Sequence, residues 1–274
     1  MSESHSNSEK KIIGILGCGW LGTAAGKSLI KKGFNVYGTT TSSNRMSELR
    51  ELGISPVMLQ VGNPSAKELP VLPATDIIIL FMTPGVIWPN RNQISQLIRK
   101  SGSSHLILAS ATSVYPENNK TVKETDAEYI SSPHSGIVLL SMEDQFRNIP
   151  GVTTTVLRFA GLYGPGREPG MFLKNRTIVR GPGNPVNLVH QEDCVRAVNV
   201  IIERLPPAGI YNICADVHPT RKEFYTAAAE RIGINPPVFS GDDEPFKLVD
   251  NDKFKDNFGF RYMHPDPMED LKKY

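Results

Sequence analysis

The sequence predicts an α/β fold, a doubly wound parallel sheet with a small C-terminal lobe, and three observations predict it. Short apolar runs alternate with polar, helix-compatible segments as far as Phe159. The first run ends in glycines spaced G-x-G-x-x-G at Gly17, Gly19 and Gly22, directly before a helix-compatible stretch. Beyond Phe159 the alternation gives way to "AGLYGPGREPGMFLKNRTIVRGPGNP", where Gly and Pro crowd a connection that regular structure can hardly occupy. Such a connection marks a ligand cover or a second lobe.

Each element follows from local pattern. Strands are expected at 11–16, 35–39, 57–60, 76–81, 105–109 and 153–159, each a strand-sized apolar run bounded by turn residues. Helices are expected between them: "TAAGKSLIKKG" stops at Gly33, "RNQISQLIRKSG" at Gly102, and "SGIVLLSMEDQFRNIPG" at Pro150 and Gly151. "NLVHQEDCVRAVNVIIERL" reads as a short strand and a helix with Gln191, Glu192 and Asp193 near its N-terminus, and "GIYNICA" as a further strand. From Pro219 the tail carries "TRKEFYTAAAERIG" and "PDPMEDLKKY". The expected division is a frayed tail over 1–10, a dinucleotide-binding domain over 11–165 to which 186–215 returns, and a substrate-binding lobe from 166–185 and 216–274.

Composition narrows the function classes. At 274 residues, 39% hydrophobic and 21% charged, the chain reads as a soluble globular protein. Its formal net charge of +2, with no dense Lys/Arg run, gives a nucleic-acid partner no electrostatic footing and leaves a small-molecule substrate as the expected partner. Cys18, Cys194 and Cys214 lie far apart with no C-x-x-C pair and no histidines at zinc spacing, so reduced thiols, a cytoplasmic setting and no metal are expected. The polar "MSESHSNSEK" is neither signal peptide nor anchor. No apolar run approaches the ~20 residues of a membrane-spanning helix.

The glycines have a specific physical reading. After a strand and before a helix, Gly17 permits a tight turn, Gly19 lets backbone approach a pyrophosphate, and Gly22 lets the helix pack close to the sheet, as in a Rossmann-type unit. Trp20 and Leu21 complete the loop, and the helix N-terminus offers N–H groups to phosphate. The alternative is a tight turn that needs glycine for its own sake. About 20 residues on, an NAD site usually places Asp or Glu on the ribose 2′-hydroxyl. Here "NVYGTTTSSNR" has no acid; it has Thr39, Thr40 and Ser42 with the Arg45 guanidinium, which suits a 2′-phosphate. NADP(H) is therefore expected over NAD(H), with Thr83, beyond the fourth strand, as a further contact.

Several segments together resemble the extended short-chain dehydrogenase/reductase family, in its NAD-dependent epimerase/dehydratase-like branch and an atypical bacterial subgroup of it. They are "GCGWLG", "LILASATSVY", "VLRFAGLYGPGR", "NLVHQEDCVRAV" and "GIYNICA", spread over most of residues 11–215. The resemblance implies catalysis by a Tyr and a Lys spaced Y-x-x-x-K, helped by a Ser or Thr at the end of the fifth strand. None of the eight tyrosines has Lys four residues later, the nearest form being Tyr163 with Arg167. Alignment puts Ser135 at the Tyr position, Leu139 at the Lys position and Ala111 at the Ser/Thr position, with Ser110 and Thr112 on either side.

Thr112, Tyr115 and His134 are the substitutes the sequence offers: a hydroxyl one residue along, a loop tyrosine, and a titratable group beside Ser135. Their alternatives are a packing aromatic for Tyr115 and a helix-cap neighbour for His134. His190 and Asp193 resemble a family motif that organises structure near the site, with Asp193 capping its helix or pairing with Arg158. Arg158 and Arg167 flank "FAGLYGPG" and suit a substrate phosphate or carboxylate. The apolar face of "SGIVLLSMEDQF" suits a homodimer contact or packing on the sheet. Two functions are expected to compete: an NADP(H)-dependent oxidoreductase or epimerase-like enzyme acting on a small, sugar-derived substrate, and a non-catalytic NADP(H)-binding regulator or scaffold.

Overall fold

The computed structural model describes residues 10–62, 71–129, 134–173, 178–242 and 244–272. In chain order the elements are β1 (Ile12–Leu16), α1 (Trp20–Lys31), β2 (Asn35–Thr40), α2 (Ser43–Glu51), β3 (Ser55–Met58), β4 (Ile77–Leu80), α3 (Pro84–Ile87), α4 (Arg91–Lys100) and β5 (His105–Ala111). There follow β6 (Lys120–Val122), α5 (His134–Arg147), β7 (Thr153–Phe159), β8 (Gly161–Tyr163), β9 (Ile178–Arg180), β10 (Leu188–His190), α6 (Gln191–Arg204) and β11 (Gly209–Ile213). The last are α7 (Arg221–Arg231), β12 (Val238–Ser240), β13 (Lys247–Val249), α8 (Asp252–Phe258) and α9 (Pro267–Lys272).

Seven strands form one parallel sheet in the order β11-β7-β5-β4-β1-β2-β3, the doubly wound arrangement the sequence predicts. All four residues of β4 are buried, as are Ile13, Ile15 and Leu16 of β1, because a parallel sheet covered on both faces excludes water from both sides of its central strands. Parallel pairing sets Leu16 opposite Leu80 and Ile15 opposite Gly38. The carboxyl ends of β1, β2 and β4 therefore come together, where doubly wound sheets bind ligands.

The third strand starts earlier than the apolar run "VMLQ" suggests. Pairing with Tyr37–Thr40 begins at Ser55, and Leu59, although buried, lies beyond the strand with its N–H on the Thr40 carbonyl. Cross-strand register, rather than hydrophobicity, decides the boundary.

The chain divides into two compact units, residues 1–107 with 148–154 and residues 108–147 with 155–274, a different division from the one expected at 165 and 216. Polar side chains explain part of the difference. Asn212 of β11 takes Glu124 Oε1 on its backbone N–H at 2.8 Å and donates from Nδ2 to the Asp250 carbonyl at 2.9 Å, so that strand is tied to segments on both sides of it in sequence. The second unit also holds three parallel two-stranded pairs, β8–β10, β9–β12 and β6–β13. Its cores gather Tyr163, Leu188, Phe224 and Leu271, and Leu173, Val179 and Ala229. Among the described residues no helix is long and apolar enough to cross a membrane.

Candidate functional site

In the first unit the three glycines differ in the way the fingerprint requires. Gly17 has φ +95°, and a Cβ there would lie 2.7 Å from the Met82 nitrogen. A Cβ on Gly22 would lie 2.5 Å from the Gly17 carbonyl oxygen, so only glycine lets α1 approach the turn so closely. A Cβ on Gly19 would meet nothing within 4 Å. That empty space lies over the start of α1, whose N-cap, Gly19, offers no side-chain cap and whose first turn carries no acid. An anion placed there meets the positive end of the helix and no competing carboxylate from its first turn.

Around this loop is a cavity of about 320 Å³ lined by Gly17, Cys18, Gly19, Thr39, Thr40, Thr41, Arg45, Phe81, Met82 and Thr83, among others. A pyrophosphate with its flanking groups fits such a glycine-lined, acid-free recess. Leu21 and Gly22 are on the packed face of α1 instead, and Trp20 is half-buried at its first residue. Thr41, Phe81 and Met82 were not expected; they follow from β2 and β4 ending level with β1.

The second strand's residues divide their labour. The Gly17 N–H donates to Thr39 Oγ1 at 2.9 Å and the Cys18 N–H to the Thr39 carbonyl at 2.9 Å. Thr39, 2% exposed, is thus a strap for the glycine turn and not a phosphate ligand. Thr40 Oγ1 accepts from the Ser42 N–H at 3.2 Å, and Ser42, at the N-cap position of α2 without a side-chain cap bond, is not among the residues lining the cavity. Arg45 reaches back to the loop, Nη2 donating to Thr23 Oγ1 at 3.0 Å and to the Cys18 carbonyl at 3.3 Å, while Nη1 pairs with Glu48. The guanidinium is therefore held against the glycine loop and is already paired with a carboxylate. Burial raises the Cys18 thiol above its usual range, against smaller opposite pulls from Thr23 and Arg45, so it is no ready nucleophile.

The positions that the resemblance aligns with a reaction centre, Ala111, Ser135 and Leu139, belong to the second unit, which also holds a buried polar network. Ala111 ends β5, and Leu139 is buried in α5 at 4% exposure. The side chains of His134 and Ser135 lie outside the described residues; their backbone opens α5. Arg158 meets Glu143 through Nε to Oε1 at 3.0 Å and Nη2 to Oε2 at 2.7 Å, and Ser110 donates to the same carboxylate at 2.6 Å.

Tyr115 is fully buried; its hydroxyl donates to Asn212 Oδ1 at 2.6 Å and accepts from Arg158 Nη1 at 2.8 Å. Burial outweighs the neighbouring Arg158 charge and pushes this phenol up to about 12. Tyr115 is a packed strut, which corrects its expected role as proton donor. Arg158 likewise holds Glu143, not a substrate anion and not Asp193. Asp193 instead accepts the Met263 and His264 N–H groups at 2.8 Å each and pairs with Arg196 at 2.8 Å. On α5, Leu139, Leu140, Met142 and Phe146 are buried and Ile137 is exposed.

Thr112 lies in the short turn Thr112–Val114 and lines a second cavity, of about 390 Å³, wholly within this unit. Arg167, expected near a substrate anion, lines it too, together with Phe172, Asn187, Arg221, Tyr225, Phe246 and Lys247, none of which sequence spacing points to. Its size is in the range of small-molecule sites.

His190 is structural here. Its Nδ1 accepts the Glu192 N–H at 3.2 Å as the N-cap of α6, and its ring lies 3.6 Å from that of His264. His264 in turn contacts Asp270 at 2.8 Å and Glu192 at 2.9 Å. His190, Glu192 and His264 are close enough together to hold a metal ion. The same atoms already make hydrogen bonds: both His264 nitrogens contact carboxylates, and His190 Nδ1 accepts the Glu192 N–H.

No family model matches the chain. Over 270 residues it is 34% identical to protein YeeZ of Escherichia coli, a match covering 94% of this chain and 98% of that protein. A solved structure of a functionally unknown conserved protein from Silicibacter pomeroyi superposes with TM-score 0.77 at 24% identity, covering 96% of this chain and 97% of that one. UDP-glucuronic acid 4-epimerase from Bacillus cereus, in complex with UDP-glucuronic acid and NAD, superposes with TM-score 0.72 at 15% identity, covering 95% and 96%.

Proposed function

The chain belongs to the YeeZ family of atypical, epimerase/dehydratase-like short-chain dehydrogenase/reductases, and we propose that it binds NADP(H) in preference to NAD(H) and acts on a small, sugar-derived substrate. The observation that carries the proposal is the empty space over Gly19 next to an acid-free end of β2 that Arg45 spans. A nicotinamide supplies hydride transfer when bound; Gly17 and Gly22 shape the turn, Thr39 straps it, and Arg45 meets the 2′-phosphate. The 390 Å³ cavity receives the substrate in this reading. Titration of NADPH against NADH by quenching of the two tryptophans tests it: tighter NADPH binding supports the preference, and equal affinities refute it.

A second reading, a non-catalytic NADP(H)-binding regulator or scaffold, is favoured by one specific observation. The positions that carry the family's chemistry hold Ala111 and a buried Leu139, and Tyr115 is locked by Arg158 and Asn212. NADPH oxidation across aldehydes, ketones and nucleotide sugars separates the two. Turnover with any of them favours the enzyme; tight cofactor binding with none favours the regulator.

A further inference from the structure

The 390 Å³ cavity of the second unit carries an unequal charge: among the described side chains lining it are Arg167, Arg221 and Lys247 against Glu117, with Arg221 also paired to Glu244 at 3.4 Å. Lys247 has the most constrained setting of the three. Its strand β13 pairs with β6, and the Asn187 side chain clamps the same backbone, donating to the Lys247 carbonyl and accepting from the Val249 N–H, both at 2.9 Å. One residue earlier Asn119 makes a reciprocal pair with Phe246, at 2.8 and 2.9 Å. The backbone therefore cannot turn the side chain out of the cavity without breaking several hydrogen bonds.

The ammonium itself is under-satisfied. Its side chain is 12% exposed, yet among the described residues Nζ makes one hydrogen bond, to the Tyr115 carbonyl at 3.0 Å, and one long ion pair, to a half-exposed Glu117 at 3.9 Å. An ammonium has three N–H donors, and burying a cation without close counter-charge is costly. Arg158 anchors Tyr115 at its hydroxyl, and the Tyr115 backbone carbonyl, an uncharged acceptor, takes Nζ without neutralising it.

We propose that Lys247 is the anion-receiving residue of this cavity, selecting a ligand that carries a phosphate or a carboxylate. The proposal rests on the reading of the cavity as the substrate site. Burial, against a smaller pull from Glu117, holds Lys247 below the usual lysine range. A bound anion favours the charged form and raises it again, so affinity is full below the titration of the empty site and is lost as pH rises through that of the occupied one. Glu117, Arg167 and Arg221 face the same space, and Lys120 is the register partner across the strand pair. The two arginines stay charged throughout, and the Tyr225 phenol also lines the cavity, so the comparison of the native protein with Lys247→Arg isolates the part of the alkaline limb that belongs to Lys247.

Calorimetry on the full chain tests this with UDP-glucuronate, UDP and glucuronate between pH 7 and 9.5, the last two separating phosphate from carboxylate recognition. The expected result is at least one bound anion, tenfold or weaker binding in Lys247→Met, and a falling alkaline profile in the native protein. Lys247→Arg retains binding with a flat profile, which a merely structural lysine would not produce. No binding of any of the three anions, Lys247→Met binding like the native chain, or an unchanged profile in Lys247→Arg would overturn the proposal. NADPH titration of the same preparations keeps the outcomes distinguishable: retained cofactor binding without anion binding defeats this inference and leaves the cofactor reading intact.

Discussion

Arg158 and Glu143 face each other through two parallel contacts at 3.0 and 2.7 Å, and each side chain is 2% exposed. Removing one partner strands a buried charge, so Glu143→Ala should cost about 3–5 kcal/mol, read by urea unfolding. A well-packed apolar pair, Arg158→Met with Glu143→Leu, should recover most of that loss. A single variant as stable as the native protein would show that the pair does not hold the unit together.

At the glycine loop, stability and ligand affinity should separate. Gly17→Ala forces a side chain into φ +95° with its Cβ 2.7 Å from the Met82 nitrogen, so a loss of at least ~1–3 kcal/mol in unfolding free energy is expected. Gly19→Ala meets nothing within 4 Å and should leave the melting temperature almost unchanged. It should nevertheless weaken NADPH tenfold or more, because the new methyl fills the space the pyrophosphate takes. Native-like NADPH affinity in Gly19→Ala would remove the ligand from that space.

Arg45 and Glu48 give opposite signs. Arg45→Ala should weaken NADPH by about 1.5–3 kcal/mol and leave NADH nearly unaffected. Glu48→Ala should tighten NADPH, since the guanidinium then has no internal carboxylate to exchange for phosphate. Equal changes for both cofactors in fluorescence titration would refute the 2′-phosphate contact.

The stacked histidines predict a local optimum in stability against pH. Burial pulls His264 down, but the hydrogen bonds its ring makes to the Glu192 and Asp270 carboxylates outweigh it and leave the ring above its ordinary 6.5. Its contribution is complete below 6.5 and is lost as pH rises through the raised value. His190 is lowered by burial and then by the charge of His264, so its contribution is present above 6.5 and is lost as pH falls. Melting temperatures from pH 5 to 9 should show His264→Ala losing the alkaline limb and His190→Ala the acid limb. Difference curves that stay flat would rule out this coupling.

Local signals made the first unit legible. Glycine spacing, apolar run length and the absent acid after β2 all act within a few residues, and they single out Gly17, Gly19 and Arg45, which line one cavity. Glu48 was within reach too, since three residues along a helix is one turn. The second unit resisted because its decisive contacts join distant segments. Nothing near Arg158 in sequence marks Glu143 rather than Asp193 as its partner, and nothing near Tyr115 announces Lys247, 132 positions away. A tyrosine's burial is likewise a tertiary property, so Tyr115 read as available when it is enclosed.

The pairing of β6 with β13 has a consequence for how the chain is made. Asn119 and Phe246, which bind each other beside that pair, are 127 positions apart, so β6 leaves the ribosome long before its partner exists. Contacts of such separation close a long loop and form late in folding. A chain that stops short of β13 therefore has neither the strand pair nor the Lys247 contact with the Tyr115 carbonyl.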